Sequence, residues 1–259
     1  MSNGSVDLDI SGHIATLLIN RPEKLNALTP EMLEELAGHC RLLETSTDVR
    51  VVVLKSASPK VFCVGADITR WNALTPLDMW RTWIRRGHQV FDALAGLPQP
   101  VIALMNGLSY GGGLELAAAA DIRICTQNAK MALPETGLAT VPGWSGSQRL
   151  TRLIGAPLVK EMAFTGEPVD ALRAREAGLV NRVVDDVALS DAGQKMAQQI
   201  ASRAPIAVQM VKQIIDAADG VEISRTLEAL AGACTATTED AREGGEAFRE
   251  KRKPEFKAR

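Results

Sequence analysis

The stretch VIALMNGLSYGGGLELAAAADIRICT, residues 101–126, decides the fold. Val101 to Met105 is a continuous apolar run after Pro98-Gln99-Pro100, too short for a helix and rich enough for a buried parallel strand. A glycine-rich turn follows, then small residues from Gly113 to Ala120 that read as a helix, then a second strand from Asp121 to Thr126. Strand, turn, helix, strand is the signature of an α/β chain with right-handed crossovers.

The same alternation extends outward. Towards the N-terminus, Val49 to Lys55 reads as another buried strand, and the region Trp71 to Leu97 as mostly helical. Thr29-Pro30 starts a helix with a threonine cap and proline in its first turn, carried by Met32, Leu33, Leu36, Cys40 and Leu43. Val6–Ile10 and Ile14–Ile19 form a hairpin about Ser11-Gly12. Towards the C-terminus, glycines at 155, 166 and 178 punctuate short helices, and from about Asp185 the chain is expected to be almost wholly helical. Two regions follow: 1–185, which carries the site, and 186–259, a helical region. The small-residue face Ala229, Leu230, Ala233 and Ala236 suits either contact with another subunit or packing on the chain's own core.

Composition narrows the function. The chain has 259 residues, 46% hydrophobic and 23% charged, with a formal net charge of -2. No basic block marks a nucleic-acid surface, and no run of apolar residues is long enough to span a membrane. Cys40, Cys63, Cys125 and Cys234 are scattered without a C-x-x-C pair, and the polar, acidic start does not resemble a secretion signal; a cytoplasmic setting is expected. His13, His39 and His88 form no ligand-spaced pair, so no metal site is expected, and acid–base chemistry falls to carboxylates.

Three segments can carry it. In Gly111-Gly112-Gly113-Leu114-Glu115, the free N–H groups of a helix start can receive an anion or a developing oxyanion. The spacing fits neither a dinucleotide fingerprint nor a P-loop. Glu115 precedes the apolar run Leu116 to Ala120, and is either a buried acid–base group or a first-turn glutamate facing water. Glu135, in Leu133-Pro134-Glu135-Thr136-Gly137, is either catalytic or a backbone cap, ahead of the shaped loop Val141 to Ser147. In Phe62 to Ile68, Gly65-Ala66 can present an N–H near that of Gly112, and Asp67 reads better as a helix cap than as a catalyst.

These segments, with Asn20 to Leu28, Asn106-Gly107, Pro142-Gly143, Gln148-Arg149-Leu150, Thr165-Gly166, Ala177 to Val180 and Phe248 to Pro254, resemble the enoyl-CoA hydratase/isomerase, or crotonase, superfamily. The resemblance runs from about Val6 to Phe256. It implies a spiral of β-β-α units closed by a C-terminal helical region, and a homotrimer or a hexamer built as a dimer of trimers. The implied reaction is reversible hydration of a 2-enoyl-CoA thioester through an enolate, with coenzyme A as part of the substrate and no separate cofactor. Ala66 and Gly112 then supply the oxyanion hole, Glu115 and Glu135 the acid–base pair, and Gly143 part of a water-binding loop. Lys24, Leu25, Ala66, Asp67, Ile68, Phe248 and Lys251 correspond to positions near CoA, the last two reaching in from a neighbouring subunit.

The sequence departs from the family pattern at Val64, at Ser109-Tyr110 and at Trp144-Ser145. Trp71, Trp80, Trp83, Tyr110 and Trp144 are expected either to shape the acyl pocket or to serve as core packing. The competing reactions on this scaffold are double-bond isomerisation, racemisation, hydrolysis and carbon–carbon cleavage. A non-catalytic binding protein is expected to lack one of the two glutamates, and this chain has both.

Overall fold

A computed structural model describes residues 4–71, 74–217, 230 and 232–259. β1 (Ser5–Ser11) and β2 (Ile14–Asn20) form the expected hairpin. α1 (Pro30–Glu44) follows; the Thr29 side chain accepts from the Met32 N–H and Pro30 sits in the first turn, while Met32, Leu33, Leu36, Cys40 and Leu43 are buried. β3 (Val51–Ser56) and β4 (Val61–Cys63) lead into the short helices α2 (Ile68–Trp71) and α3 (Pro76–Asp78), a π-helical turn Met79–Ile84 and α4 (Arg85–Ala95). β5 (Val101–Met105), β6 (Leu108–Tyr110) and α5 (Gly112–Ala118) form the next unit. β7 (Ile122–Thr126), β8 (Lys130–Ala132) and α6 (Gly146–Thr165) repeat it. The chain then runs through β9 (Val169–Asp170), α7 (Ala171–Glu176), β10 (Arg182–Val184), α8 (Leu189–Ala201) and α9 (Pro205–Asp216), and its last described helix is Glu239–Glu250.

Two sheets result. The larger has the order β1-β2-β3-β5-β7-β10, parallel except for β1; the smaller has the order β4-β6-β8-β9, parallel except for β9. In the strand pairs β3-β4, β5-β6 and β7-β8 the first strand therefore joins the larger sheet and the second the smaller, whereas β1 and β2 both lie in the larger. The chain winds between them as the spiral expected from the family resemblance.

Three expectations need refining. The segment around Phe62, read as a turn-rich junction, contains β4; Leu108–Tyr110, read as part of the glycine turn, is β6; and β8 carried no sequence signal. The short helices expected after Gly155 are present: α6 is broken at Gly155, where φ is 76° and ψ 154°, so a short second segment runs to Thr165, and α7 follows. The helix expected over Val221–Thr238 falls largely outside the described residues. Leu230, within it, is exposed.

One face of the larger sheet packs on α1, α4 and the smaller sheet, burying Leu17, Leu54, Phe62, Phe91 and Met105. The opposite face is covered by α8, where Leu189 and Ala197 meet Val51, Ile102 and Ile124. Lys212 of α9, itself buried, reaches Asp121 Oδ2 at 2.9 Å and the Gln99 carbonyl at 3.3 Å, tying α9 to the turns at the ends of β5 and β7.

α5 lies closely against β4 of the smaller sheet. A Cβ added to Gly113 would stand 2.1 Å from the Cys63 carbonyl oxygen, which is backbone and cannot swing aside. Gly113→Ala should therefore destabilise the fold by about 1–3 kcal/mol. Gly245→Ala, in the helix Glu239–Glu250 where the added methyl meets nothing, should be neutral or stabilising by up to about 1 kcal/mol. Urea unfolding of the two variants checks the contrast; equal stabilities would contradict it.

Candidate active site

β4, β6 and β8 are neighbouring parallel strands, and the segment after the carboxyl end of each enters one cavity. Val64 and Ala66 follow β4, Gly111 and Gly112 follow β6, and Pro134 and Glu135 follow β8. The cavity, open to solvent, is completed by Glu115 of α5 and by Gly143 and Trp144 of the loop before α6.

The β4 and β6 loops touch through backbone. A Cβ on Gly65, whose φ is 97°, would lie 2.8 Å from the Gly112 nitrogen. Leu28 N–H donates to Gly65 O and Asp67 N–H to Leu28 O, which fixes the loop and leaves the Ala66 N–H out of the bridge. Gly112 opens α5, so its N–H has no acceptor within the helix. The cavity is thus lined by two N–H-bearing residues from separate strands, brought side by side.

Asn26 and Arg21 anchor this arrangement. Fully buried Asn26 donates to Ser56 Oγ and to the carbonyls of Val61 and Phe62, and accepts from the Arg21 N–H. Arg21 donates to Asp67 at 2.7 Å in a buried ion pair, while Asp67 also accepts from Thr69 N–H and Oγ1. The Asp67 side chain is therefore the cap at the start of α2, and points into this network rather than the cavity. Neither Arg21 nor Asn26 stood out as functional in the sequence. The left-handed φ of Leu25 and Asn26 has no sequence signal in leucine.

Glu115 is 2% exposed, which rules out the water-facing reading. Its Oε1 accepts from the N–H of Trp144 at 2.8 Å and of Gly146 at 2.7 Å. Burial pushes its carboxyl up, and the N–H groups of Trp144, Gly146 and Gly143 pull back against that rise. Glu135 begins the 3-10 turn Glu135–Leu138 and is 8% exposed; its Oε2 is buried without a hydrogen-bond partner among the described residues. Burial first, and then the neighbouring Glu115 carboxylate, push it up to about 7. One carboxyl is gripped by backbone donors and the other is free to hold a proton. Both reach a cavity in which a carbonyl oxygen can be polarised.

The remaining expected residues divide. Trp71, Trp83, Trp144 and Ile68 line the cavity, with Met79, Ile84, Leu138 and Val141 completing an apolar wall that the sequence did not single out. Trp80 does not line it: it is 59% exposed on the outer side of the π-turn, under the Arg81 guanidinium. Tyr110, on β6 just before the glycines, lies outside the lining. Lys24 and Leu25 are exposed on the turn beside the β4 loop, where the Leu25 carbonyl accepts from Val64 N–H at 3.3 Å. Phe248 and Lys251 lie at the exposed end of the last helix, with Phe248 86% exposed, and are not part of this chain's cavity.

Two N–H-bearing backbone positions and two buried carboxyls thus share one cavity on a two-sheet β-β-α spiral. The enoyl-CoA hydratase/isomerase family profile matches residues 9–259, and the chain belongs to that family, in its hydratase-like branch. A short-chain-enoyl-CoA hydratase of Clostridium acetobutylicum is 39% identical over 264 residues, covering 100% of both chains. A probable mitochondrial enoyl-CoA hydratase 2 of Arabidopsis thaliana is 39% identical over 91% of this chain and 79% of its own length. The crystal structure of an enoyl-CoA hydratase from Bacillus anthracis superposes with a TM-score of 0.94 at 36% identity, covering 100% of each chain.

The raised Glu135 value has a thermodynamic consequence. The native state keeps a proton that the unfolded chain releases near 4.5, so this contribution to stability is complete at low pH and is lost as pH rises towards 7. Glu135→Gln should remove that decline, gaining a few kcal/mol relative to the parent at about pH 8 and little at about pH 4. Denaturant unfolding across this range tests it; a constant difference at all pH values would contradict the assignment.

Proposed function

We propose that this chain catalyses the reversible addition of water to a 2-enoyl-CoA thioester, giving a 3-hydroxyacyl-CoA. The observation that carries this reading is the convergence of Glu115 and Glu135, both buried, on the cavity that Ala66 and Gly112 line. A carbon acid generated through an enolate needs a place for the oxyanion. Adding the elements of water needs one group to take a proton and another to give one.

The Ala66 and Gly112 N–H groups receive the thioester oxygen as negative charge develops on it. Glu115, ionised and held through Oε1 by backbone donors, removes a proton from water as its oxygen bonds to C3. The C2–C3 π electrons move into the enolate. Glu135, protonated and with Oε2 unpaired, delivers its proton to C2 as the carbonyl re-forms. The cycle closes when the proton on Glu115 passes through solvent and one returns to Glu135. Removing a positioned acid or base typically costs 10² to 10⁴ in rate, roughly.

CoA would run over the turn bearing Lys24 and Leu25 and the loop from Ala66 to Ile68. We further propose a homotrimer or a dimer of trimers, in which Phe248 and Lys251 reach a neighbour's CoA site; the exposure of Phe248 supports this.

Incubation with 2-butenoyl-CoA should give a product heavier by one water. Glu115→Gln and Glu135→Gln should each lower kcat at least about a hundredfold while both proteins stay folded. A shifted double bond at unchanged mass would replace hydration with isomerisation.

A further inference from the structure

Resting on the reading of this cavity as an acyl-CoA site, we propose that the Trp144 indole is the end-stop of the acyl pocket and restricts it to short, uncharged acyl groups. The bond that Trp144 gives Glu115 comes from its amide nitrogen, which most residues would supply equally. That bond does not explain the ring, which has its own socket. A Cβ on Gly87 of α4 would stand 1.9 Å from indole Cδ1, and a Cβ on Gly112 would stand 2.7 Å from Cε3 and Cζ3. The indole therefore spans the space between α4 and the glycine proposed to hold the thioester oxygen.

Glycine within a helix is unfavourable by about 1 kcal/mol relative to alanine, and the room it gives the ring accounts for Gly87. The ring is held from the other sides by Trp83 and Phe91, with centroids at 5.5 and 5.3 Å, and Nε1 donates to the Trp83 carbonyl at 3.3 Å. An acyl chain whose carbonyl sits on the Gly112 N–H starts beside this ring and is stopped by it in the direction of α4 and Phe91. The π-turn supplies the adjoining wall. Its i→i+5 closure places residues four and five apart on one face, so Trp83 and Ile84 both join Met79 at the cavity. Among the described residues no arginine, lysine or histidine lines the cavity, which leaves a distal acyl charge without a countercharge in its wall.

Titration calorimetry with butanoyl-CoA and octanoyl-CoA tests this apart from hydration, since neither thioester has a double bond to hydrate. The parent should bind octanoyl-CoA no more tightly than butanoyl-CoA. Trp144→Leu should shift the ratio of the two Kd values about tenfold or more towards octanoyl-CoA, because newly accommodated methylenes become buried. Gly87→Ala, which drives the ring into the cavity, should shift the ratio the other way. Gly87→Ala combined with Trp144→Leu should return to the Trp144→Leu profile.

If Trp144→Leu does not fold, Trp144→Phe should show a smaller shift of the same sign. A folded Trp144 variant with an unchanged ratio overturns the proposal, as does a parent that binds octanoyl-CoA about tenfold more tightly than butanoyl-CoA or binds neither thioester. A shifted ratio in a protein that does not hydrate 2-butenoyl-CoA overturns the hydratase reading alone and leaves the end-stop standing.

Discussion

Backbone meets backbone where the loops after β4 and β6 cross, and the rest of the site depends on that contact. Gly65 lies against the Gly112 nitrogen, and Gly113 against the Cys63 carbonyl, at separations that leave no room for a Cβ. Side chains there would push the strands apart and separate the Ala66 and Gly112 N–H groups. A hole for an oxyanion works only if its donors are already aimed when charge appears. Here the aim is fixed by covalent geometry and by the Leu28 bridge behind it. The buried Asn26 and the Arg21–Asp67 pair then hold the Leu28 segment in place. Arg21, Asn26 and Asp67 do not line the cavity, yet their network holds the segment that spaces Ala66 from Gly112.

Two carboxyls in one apolar cavity would ordinarily be a liability. Desolvation penalises both charges, and each penalises the other. The structure offsets this unequally. Backbone N–H groups compensate Glu115, whereas Glu135 has no donor for Oε2 and is pushed up to about 7. The asymmetry comes from chain path: the loop from Gly143 to Gly146 turns three amides inward over α5, whereas at Glu135 only its own amide pulls against burial. Different environments thus give two identical side chains different protonation tendencies, as an acid–base pair requires.

The larger sheet was legible in the sequence because Val51–Ser56 and Val101–Met105 are mostly buried and read as apolar runs, and Ile122–Thr126 follows the small-residue helix as the next strand. The smaller sheet was not, because β4, β6 and β8 have three residues each and show no period. Yet the smaller sheet positions the site. Its residues were found from glycines, isolated carboxylates and family resemblance, and not from strand pattern. Glu115 stood out because a charge beside Leu116 to Ala120 needs a reason. Met79 and Ile84 did not, since a π-turn has no signature in composition and an α-helical reading would turn Ile84 away from Met79. Trp80 and Trp83 show the same limit: only the turn geometry decides that one faces the cavity and the other solvent.

Trp144 joins these levels. Its amide and its ring act in different directions from one Cα: the amide holds Glu115, and the ring wedges between Gly87 and Gly112. The ring is buried among Trp83 and Phe91, so the loop that carries it cannot drift without dragging an aromatic group through close-packed core. Precision at the carboxylate is thereby supplied by hydrophobic packing along the wall of the cavity. The same packing consumes space next to the reacting centre that an acyl chain could otherwise use. If Glu115 and Trp144 act as proposed, one residue couples the support of the carboxylate to the reach of the pocket, so a change that enlarges the pocket there also loosens the support of Glu115.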